Sequence, residues 1–301
     1  MGVDEFALID LIVEAMGDRA QGEWVHLGPG DDAAVITTTP GFDQVASIDV
    51  LVPGVHFPAR APAFLIGYRA LMVSLSDLAA MGAAPRYCVV ALTLTESDVG
   101  DGSWLAELSR GMAEAARDSG TYICGGNMTR GPLNIAVSAN GEVAHGSEIR
   151  RSGGRPDDKI YVSGPLGGAS ACLRQDMLLP VQVEAMNELQ KAYYKPRARF
   201  DWQQRLSSAS CAIDISDGLL QDLGHLTKAS GCGARLVQEK IPLTDGASLA
   251  DALNASDDYQ LLFASDQPHP DAFHIGELCT EKGIWLNGKS IDIKGYKHFD
   301  A

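Results

Sequence analysis

Tyr87-Cys88-Val89-Val90-Ala91-Leu92-Thr93-Leu94 is an apolar run of strand length set between two stretches, 64–81 and 104–119, whose apolar residues recur at helical spacing. A shorter apolar run, Tyr122-Ile123-Cys124, follows the second helix and leads into Gly125-Gly126. Helix, strand, helix, strand in this order is the signature of an α/β protein. Toward the N-terminus, Phe6, Leu8, Ile9, Ile12, Val13 and Met16 fall on one face of an opening helix, and the β-branched runs 33–37 and 44–50 predict strands. Leu133 to Val137 begins another strand. The polar stretch 145–158, with Gly146, Gly153, Gly154 and Pro156, predicts a linker. Two domains are therefore expected, residues 1–148 and 149–301. The second begins with a strand at 159–163, continues through helices at 169–175, 181–193 and 219–229, and is again mixed α and β.

The composition narrows the function classes. The chain has 301 residues, 46% hydrophobic and 21% charged, which excludes disordered, collagen-like and coiled-coil classes. Its 24 Lys plus Arg against 39 Asp plus Glu give a net charge of −15. Such an excess of acid argues against nucleic-acid partners, which need clustered cations, and against anionic membranes. Met1-Gly2-Val3-Asp4-Glu5-Phe6 is acidic where a signal peptide is basic, and Phe6 stands where a myristoylation signal has Ser or Thr. No apolar run is expected to span a membrane, so the expected location is the cytoplasm. The six cysteines, at 88, 124, 172, 211, 232 and 279, form no Cys-x-x-Cys pair and predict reduced, buried thiols.

The aspartates gather where apolar elements meet Gly or Ser turns: Gly30-Asp31-Asp32, Ser47-Ile48-Asp49, Ser74-Leu75-Ser76-Asp77 and Asp214-Ile215-Ser216-Asp217-Gly218. Any one of these is explained equally well by capping or turn formation. The set points further. Asp77 leaves an otherwise apolar helix, where a charge is costly without a partner. Mg²⁺ is such a partner: it takes hard oxygen ligands and is usually shared between a few carboxylates and substrate phosphates. The expected chemistry is phosphoryl transfer.

Two other stretches offer themselves to phosphate. Gly283-Ile284-Trp285-Leu286-Asn287-Gly288-Lys289-Ser290 matches the P-loop letters, but its bulky loop and the alternating Ile291-Asp292-Ile293 that follows predict a β-hairpin. Gly164-Pro165-Leu166-Gly167-Gly168 either cradles a phosphate or makes a tight strand-to-helix turn. The glycosylation-like triplets Asn127-Met128-Thr129 and Asn254-Ala255-Ser256 carry little weight in a cytosolic chain.

Read together, these motifs resemble the thiamine-monophosphate kinases of the aminoimidazole ribonucleotide synthetase-like superfamily. The resemblance is carried by Asp4-Glu5-Phe6, Gly30-Asp31-Asp32-Ala33-Ala34, Asp49-Val50-Leu51-Val52-Pro53-Gly54-Val55-His56-Phe57 and Ser74 to Ala83. It continues through Thr129-Arg130-Gly131-Pro132, Arg151-Ser152-Gly153, Ile213 to Leu219, Asp257-Asp258-Tyr259 and Gly295-Tyr296-Lys297-His298-Phe299. It implies an α/β, two-domain fold: an N-terminal domain that binds ATP and Mg²⁺ and pairs its sheet with a second copy in a barrel, and a layered α/β C-terminal domain. It implies a homodimer that phosphorylates thiamine monophosphate with ATP by direct in-line transfer on several Mg²⁺ ions. Carried over by position, Asp32, Ser47, Asp49, Asp77, Asp214 and Asp217 resemble the metal ligands. Gly126, Asn127, Arg151 and Ser216 would contact ATP, while His56, Asp257 and Tyr296 would face the substrate.

The chain departs from the family pattern at three places. Asn127 replaces an Asp, which removes a charge while keeping a carbonyl oxygen. Ile48 replaces a Thr, and Asp257 replaces a Glu, which shortens that acid by one methylene. Two alternative functions follow: a catalytically impaired nucleotide-binding homologue, or a related kinase acting on another small phosphate.

Overall fold

The computed structural model describes residues 5–22, 24–29, 32–254 and 257–293. They form two compact units, Met1–Leu78 with Ala84–Gly146, and Ala79–Ala83 with Ser147–Ala301. In chain order the first set of elements is α1 (Glu5–Met16), β1 (Val25–Leu27), β2 (Val35–Ile36), β3 (Phe42–Leu51), α2 (Ala63–Ser74) and α3 (Ser76–Ala80). There follow β4 (Ala84–Leu94), α4 (Glu96–Val99), α5 (Ser103–Ser119), β5 (Tyr122–Arg130) and β6 (Asn134–Ala144).

The first unit is a four-stranded sheet, ordered β3-β6-β4-β5, with α2 and α5 on one face. β4 and β5 run parallel, joined through α5, and the other pairs are antiparallel. The expected helix 64–81 is interrupted at Leu75. There the Ser74 hydroxyl donates back to the Ala70 carbonyl at 2.9 Å, a contact that bends helices. By length and composition the stretch Ala63–Ala80 could cross a membrane, which corrects the expectation that no such run exists, but 89% of it is buried. It is a core helix. Its closeness to α5 is set by two glycines: a Cβ on Gly67 would lie 2.0 Å from the Leu108 carbonyl oxygen, and one on Gly111 would lie 1.9 Å from that of Phe64.

Register sorts the sheet residues onto two faces. Asp49, Val137, Val90 and Gly126 lie in one row across the strands, and Val50, Ala136, Ala91 and Asn127 in the next. Side chains of successive rows point to opposite faces. Val90, Val137, Ile135 and Leu92 are buried on the helix side, whereas Phe42, Ile48, Val50 and Val89 stand exposed on the other. β5 runs well past the expected 122–124 because its ladder with β4 carries it through Gly125-Gly126. A Cβ on Gly126 would lie 2.0 Å from the Val90 carbonyl oxygen, so the glycine belongs to the strand packing.

The second unit contains β7 (Lys159–Val162), α6 (Gly168–Arg174), α7 (Glu188–Tyr194), β8 (Cys211–Asp214), α8 (Leu219–Ser230) and β9 (Gly233–Leu236). It ends with α9 (Leu249–Asn254), β10 (Leu261–Ser265), β11 (Phe273–Cys279), β12 (Ile284–Leu286) and β13 (Lys289–Ile291). The sheet order is β13-β12-β9-β11-β7-β10-β8. One face packs Ile213, Leu219, Leu223, Leu226 and Leu262 into a core, and the other packs Tyr161, Trp202, Leu206 and Phe263. Every residue of β10 is buried, as a strand covered on both faces requires.

The expected helix 181–193 is shorter. Asn187 and Gln190 form a capping box that starts α7 at Glu188, and a 3₁₀ turn, Val183–Ala185, precedes it. The P-loop-like stretch is the expected hairpin. Ile284 pairs with Ile291 and Trp285 with Ser290, and Asn287 (φ 49°) and Gly288 (φ 77°) supply the left-handed pair of a type I′ turn. All six cysteines are free and buried.

Candidate active site

In the first unit the alternation of β3 sends Ser47 and Asp49 to the helix-facing side, where α2 ends and α3 begins. The Ser47 hydroxyl donates to Oδ2 of Asp77 in a short hydrogen bond. Burial pushes the Asp49 carboxyl up to about 6, the Asp77 charge adds to the rise, and the Ser74 hydroxyl opposes it. Ser47, Asp49 and Asp77 thus form one knot of hard oxygen donors, and two carboxylates in it repel one another. Asp32 is exposed just before β2. Gly30 and Asp31, which precede it, lie outside the described residues.

His56 sits in a compact turn. The Val52 amide donates to its Nδ1 at 3.1 Å, the buried Arg69 donates through Nε to its carbonyl at 3.2 Å, and Phe57, 2% exposed, anchors the turn. With Nδ1 accepting, the proton of the neutral ring is on Nε2. Ile48 and Asn127 lie on the opposite face of the sheet from Ser47 and Asp49, by register and exposure. The missing Thr hydroxyl and the missing carboxylate therefore subtract nothing from the Ser47–Asp49–Asp77 knot of the same chain.

In the second unit, β8 delivers Asp214, 5% exposed, into the turn Ile215-Ser216-Asp217-Gly218, and α8 begins at once. Gly218 takes φ 109°, which only glycine adopts readily. Asp222, 2% exposed in α8, accepts the amides of Ser216 at 3.1 Å and Asp217 at 3.0 Å through Oδ2. The Gln221 side chain donates to Asp217 Oδ2 at 2.9 Å. Burial pushes the Asp222 carboxyl up to about 8, and the charges of Asp214 and Asp217 add to the rise against the two amides.

The segment carrying Asp257 is stitched to this turn. The Asp257 amide donates to the Ser216 carbonyl at 3.0 Å and the Tyr259 amide to that of Ile215 at 2.8 Å. Asp257 (φ 74°) and Tyr259 (φ 50°) occupy the left-handed region, which is strained for side chains of this kind. The Tyr259 hydroxyl donates to Asp257 Oδ1 at 2.9 Å and so aims that acid.

The Gly164–Gly168 turn is resolved as well. The Gly167 amide donates to Oδ1 and Oδ2 of Asp258 at 2.8 and 2.9 Å, so a carboxylate of the chain itself occupies the place considered for a phosphate. Arg151 is exposed, and its carbonyl accepts from Ser230 at 3.1 Å, at the end of α8 away from Asp217. Its backbone is therefore about 17 Å along the helix from that turn. Tyr296 lies outside the described residues.

Asp222 and His225 are not among the expected site residues, yet ligand atoms of Asp217, Asp222 and His225 lie within 4.8 Å of one another. A signal for Asp222 exists in the sequence: it is an acid among Leu219, Leu220, Leu223 and Leu226, all buried. Ser47, Asp49 and Asp77 in the first unit and Asp214 and Asp217 in the second offer hard oxygens, the donors that Mg²⁺ takes, and His225 adds a ring nitrogen beside Asp217.

Residues 30–143 match the family model described as AIR synthase related protein, N-terminal domain. The chain is 35% identical to the thiamine-monophosphate kinase of Escherichia coli (strain K12), over 99% of each chain. The chain belongs to the thiamine-monophosphate kinase family. Among solved structures, the family's Stenotrophomonas maltophilia K279a enzyme superposes with a TM-score of 0.84 at 34% identity, covering 97% of this chain and 99% of that one. AaThiL, solved in complex with AMPPCP and TMP, superposes with a TM-score of 0.80 at 28% identity, covering 98% and 97%. The mixture of helices and sheets described above is thus the fold of this kinase family.

Proposed function

We propose that this chain transfers the γ-phosphoryl group of ATP to thiamine monophosphate, giving thiamine diphosphate, in a direct in-line reaction. The observation that carries this reading is the likeness, over nearly the whole chain, to kinases of that name and to a member solved with AMPPCP and TMP. The knot of Ser47, Asp49 and Asp77 supports it from the side of chemistry.

Asp32, Ser47, Asp49 and Asp77 in the first unit, and Asp214 and Asp217 in the second, would hold Mg²⁺. Bound there, Mg²⁺ would neutralise the charge that develops on the transferring phosphoryl group. The chain's own groups position the reactants. Gly126, Asn127, Arg151 and Ser216 are assigned to ATP. His56, held by the Val52 amide at Nδ1, Asp257, aimed by Tyr259, and Tyr296 are assigned to thiamine monophosphate. The exposed apolar face carrying Phe42, Ile48, Val50 and Val89 supports a homodimer in which a second copy covers it, and Asn127 lies on that same face. We assign the protein to the cytoplasm.

The purified chain incubated with ATP, Mg²⁺ and thiamine monophosphate yields thiamine diphosphate, followed by chromatography. No product over a wide range of Mg²⁺ and Mn²⁺ overturns the proposal. A rise in melting temperature with Mg²⁺-ATP but no product identifies an impaired nucleotide-binding homologue instead.

A further inference from the structure

We infer that Asp222 is a positioning residue for the proposed phosphoryl transfer: its buried carboxylate fixes the peptide units of Ser216 and Asp217, and through them the aim of the Asp217 carboxylate. The inference rests on the role proposed above for Ser216 and Asp217.

The geometry is specific. One oxygen of Asp222, Oδ2, accepts both amides of the turn, at 3.1 and 3.0 Å. The Ser216 peptide is bonded on its other side as well, since its carbonyl accepts the Asp257 amide at 3.0 Å. The side chain of Asp217 is tied in turn by Gln221 at 2.9 Å. Gly218, at φ 109°, closes the turn, and its carbonyl accepts the Asp222 amide at 3.0 Å.

A structural cap does not require this residue. Ser, Thr or Asn ahead of a helix satisfies its first amides at far lower desolvation cost, whereas Asp222 lies inside α8, 2% exposed, beside Leu219 and Leu223. It also lies close to Asp214 and Asp217, which add repulsion to the cost of burial. A carboxylate placed so unfavourably earns its position by what it holds. Groups that orient the ligands of a metal typically change metal affinity or activity by roughly 10–100-fold when removed.

The test uses the full chain and two readouts: free Mn²⁺ measured by electron paramagnetic resonance, and the Mg²⁺ dependence of thiamine diphosphate formation. Asp222→Ala removes the acceptor, and Asp222→Glu keeps the charge but displaces the oxygens by a methylene. Each is expected to weaken Mn²⁺ binding and to raise the half-saturating Mg²⁺ by about tenfold or more. Asp222→Asn, which presents an oxygen in the same place, is expected to stay within about threefold of the unsubstituted chain.

A folded Asp222→Ala or Asp222→Glu chain that binds Mn²⁺ as tightly as the parent overturns the inference, whatever its melting temperature. So does an Asp222→Asn chain as weak as Asp222→Ala. A parent chain that binds Mn²⁺ but forms no product, with binding weakened in the variants, upholds the positioning role while the proposed reaction falls. A parent that binds no Mn²⁺ overturns the inference.

Discussion

Two buried aspartates of the second unit are held in opposite ways. Asp251, 4% exposed, accepts Arg174 through two bonds of 2.8 Å and Ser248 through its amide at 2.8 Å and its hydroxyl at 2.7 Å. The Arg174 guanidinium, before any other group, pulls its carboxyl down to about 2. Asp222 is 2% exposed, accepts the amides of Ser216 and Asp217, and is pushed up to about 8 by burial in the company of Asp214 and Asp217. The first arrangement stabilises the fold. The second costs stability, and such costs concentrate where a protein binds or reacts. Burial alone does not tell a structural acid from a functional one; the sign of its neighbours does.

The largest effect expected from this contrast is on activity. Asp217→Asn should lower kcat on the order of 10²–10³-fold, since it removes an oriented charge from the proposed metal site. It should leave the melting temperature unchanged or raised, because one repelling charge is gone. Asp251→Asn should leave kcat within about twofold and lower the melting temperature. Steady-state kinetics with parallel thermal melts decides the matter, and an Asp217→Asn chain at full rate removes Asp217 from the site.

Next in size is the stability held by the Asp251 network. Asp251→Ala deletes several bonds to a charged acceptor, and urea unfolding should show a loss of about 2–4 kcal/mol, the range for breaking a buried, hydrogen-bonded pair. Arg174 is half exposed and can turn to water, so the lower half of that range is the firmer expectation. A loss below about 0.5 kcal/mol would reduce the network to a surface pair.

The contrast also predicts opposite pH behaviour within one unit. Asp258 is pushed up to about 7, first by burial and then by the Asp257 charge, against the Gly167 amide. Its folded value lies above the unfolded one, so its stabilising contribution is complete below about 3.8 and is lost as pH rises through about 7. For Asp251 the folded value of about 2 lies below the unfolded one, so its contribution is present above about 3.8 and is lost as pH falls through about 2. Relative to the parent, Asp258→Asn should therefore gain stability between pH 4 and 7, and Asp251→Asn should not. Melts across that range, read as differences from the parent, show whether the two slopes separate.

Much of this was legible in the sequence because local signals and tertiary structure agree. The apolar run from Tyr87 to Leu94 is a strand, 104–119 is a helix, and the Asn287-Gly288 turn made a hairpin of a P-loop look-alike. The choice of Asp77 singled out the one half-buried acid between buried residues on either side, and the structure sets it against Ser47. What stayed hidden depends on partners distant in sequence. Whether the Gly167 amide meets a phosphate or Asp258 is decided by a residue 91 positions away. Asp222 lay in plain view among its leucines, but its role appears only when the turn before α8 folds back over it.

The smallest effect concerns a residue whose chemistry is right and whose direction is wrong. Ile48 is 67% exposed on the face of β3 away from Ser47 and Asp49, and it pairs in register with Ser138. Ile48→Thr restores the family's hydroxyl but cannot turn it toward the carboxylates, because strand alternation sends neighbours to opposite faces. The Mg²⁺ dependence of product formation should move by less than about twofold, the equivalent of roughly 0.4 kcal/mol. A tenfold gain would mean that the outer face, covered by a second copy, supplies ligands of its own. The rule drawn from Asp251 and Asp222 would then have to be applied to neighbours from both chains.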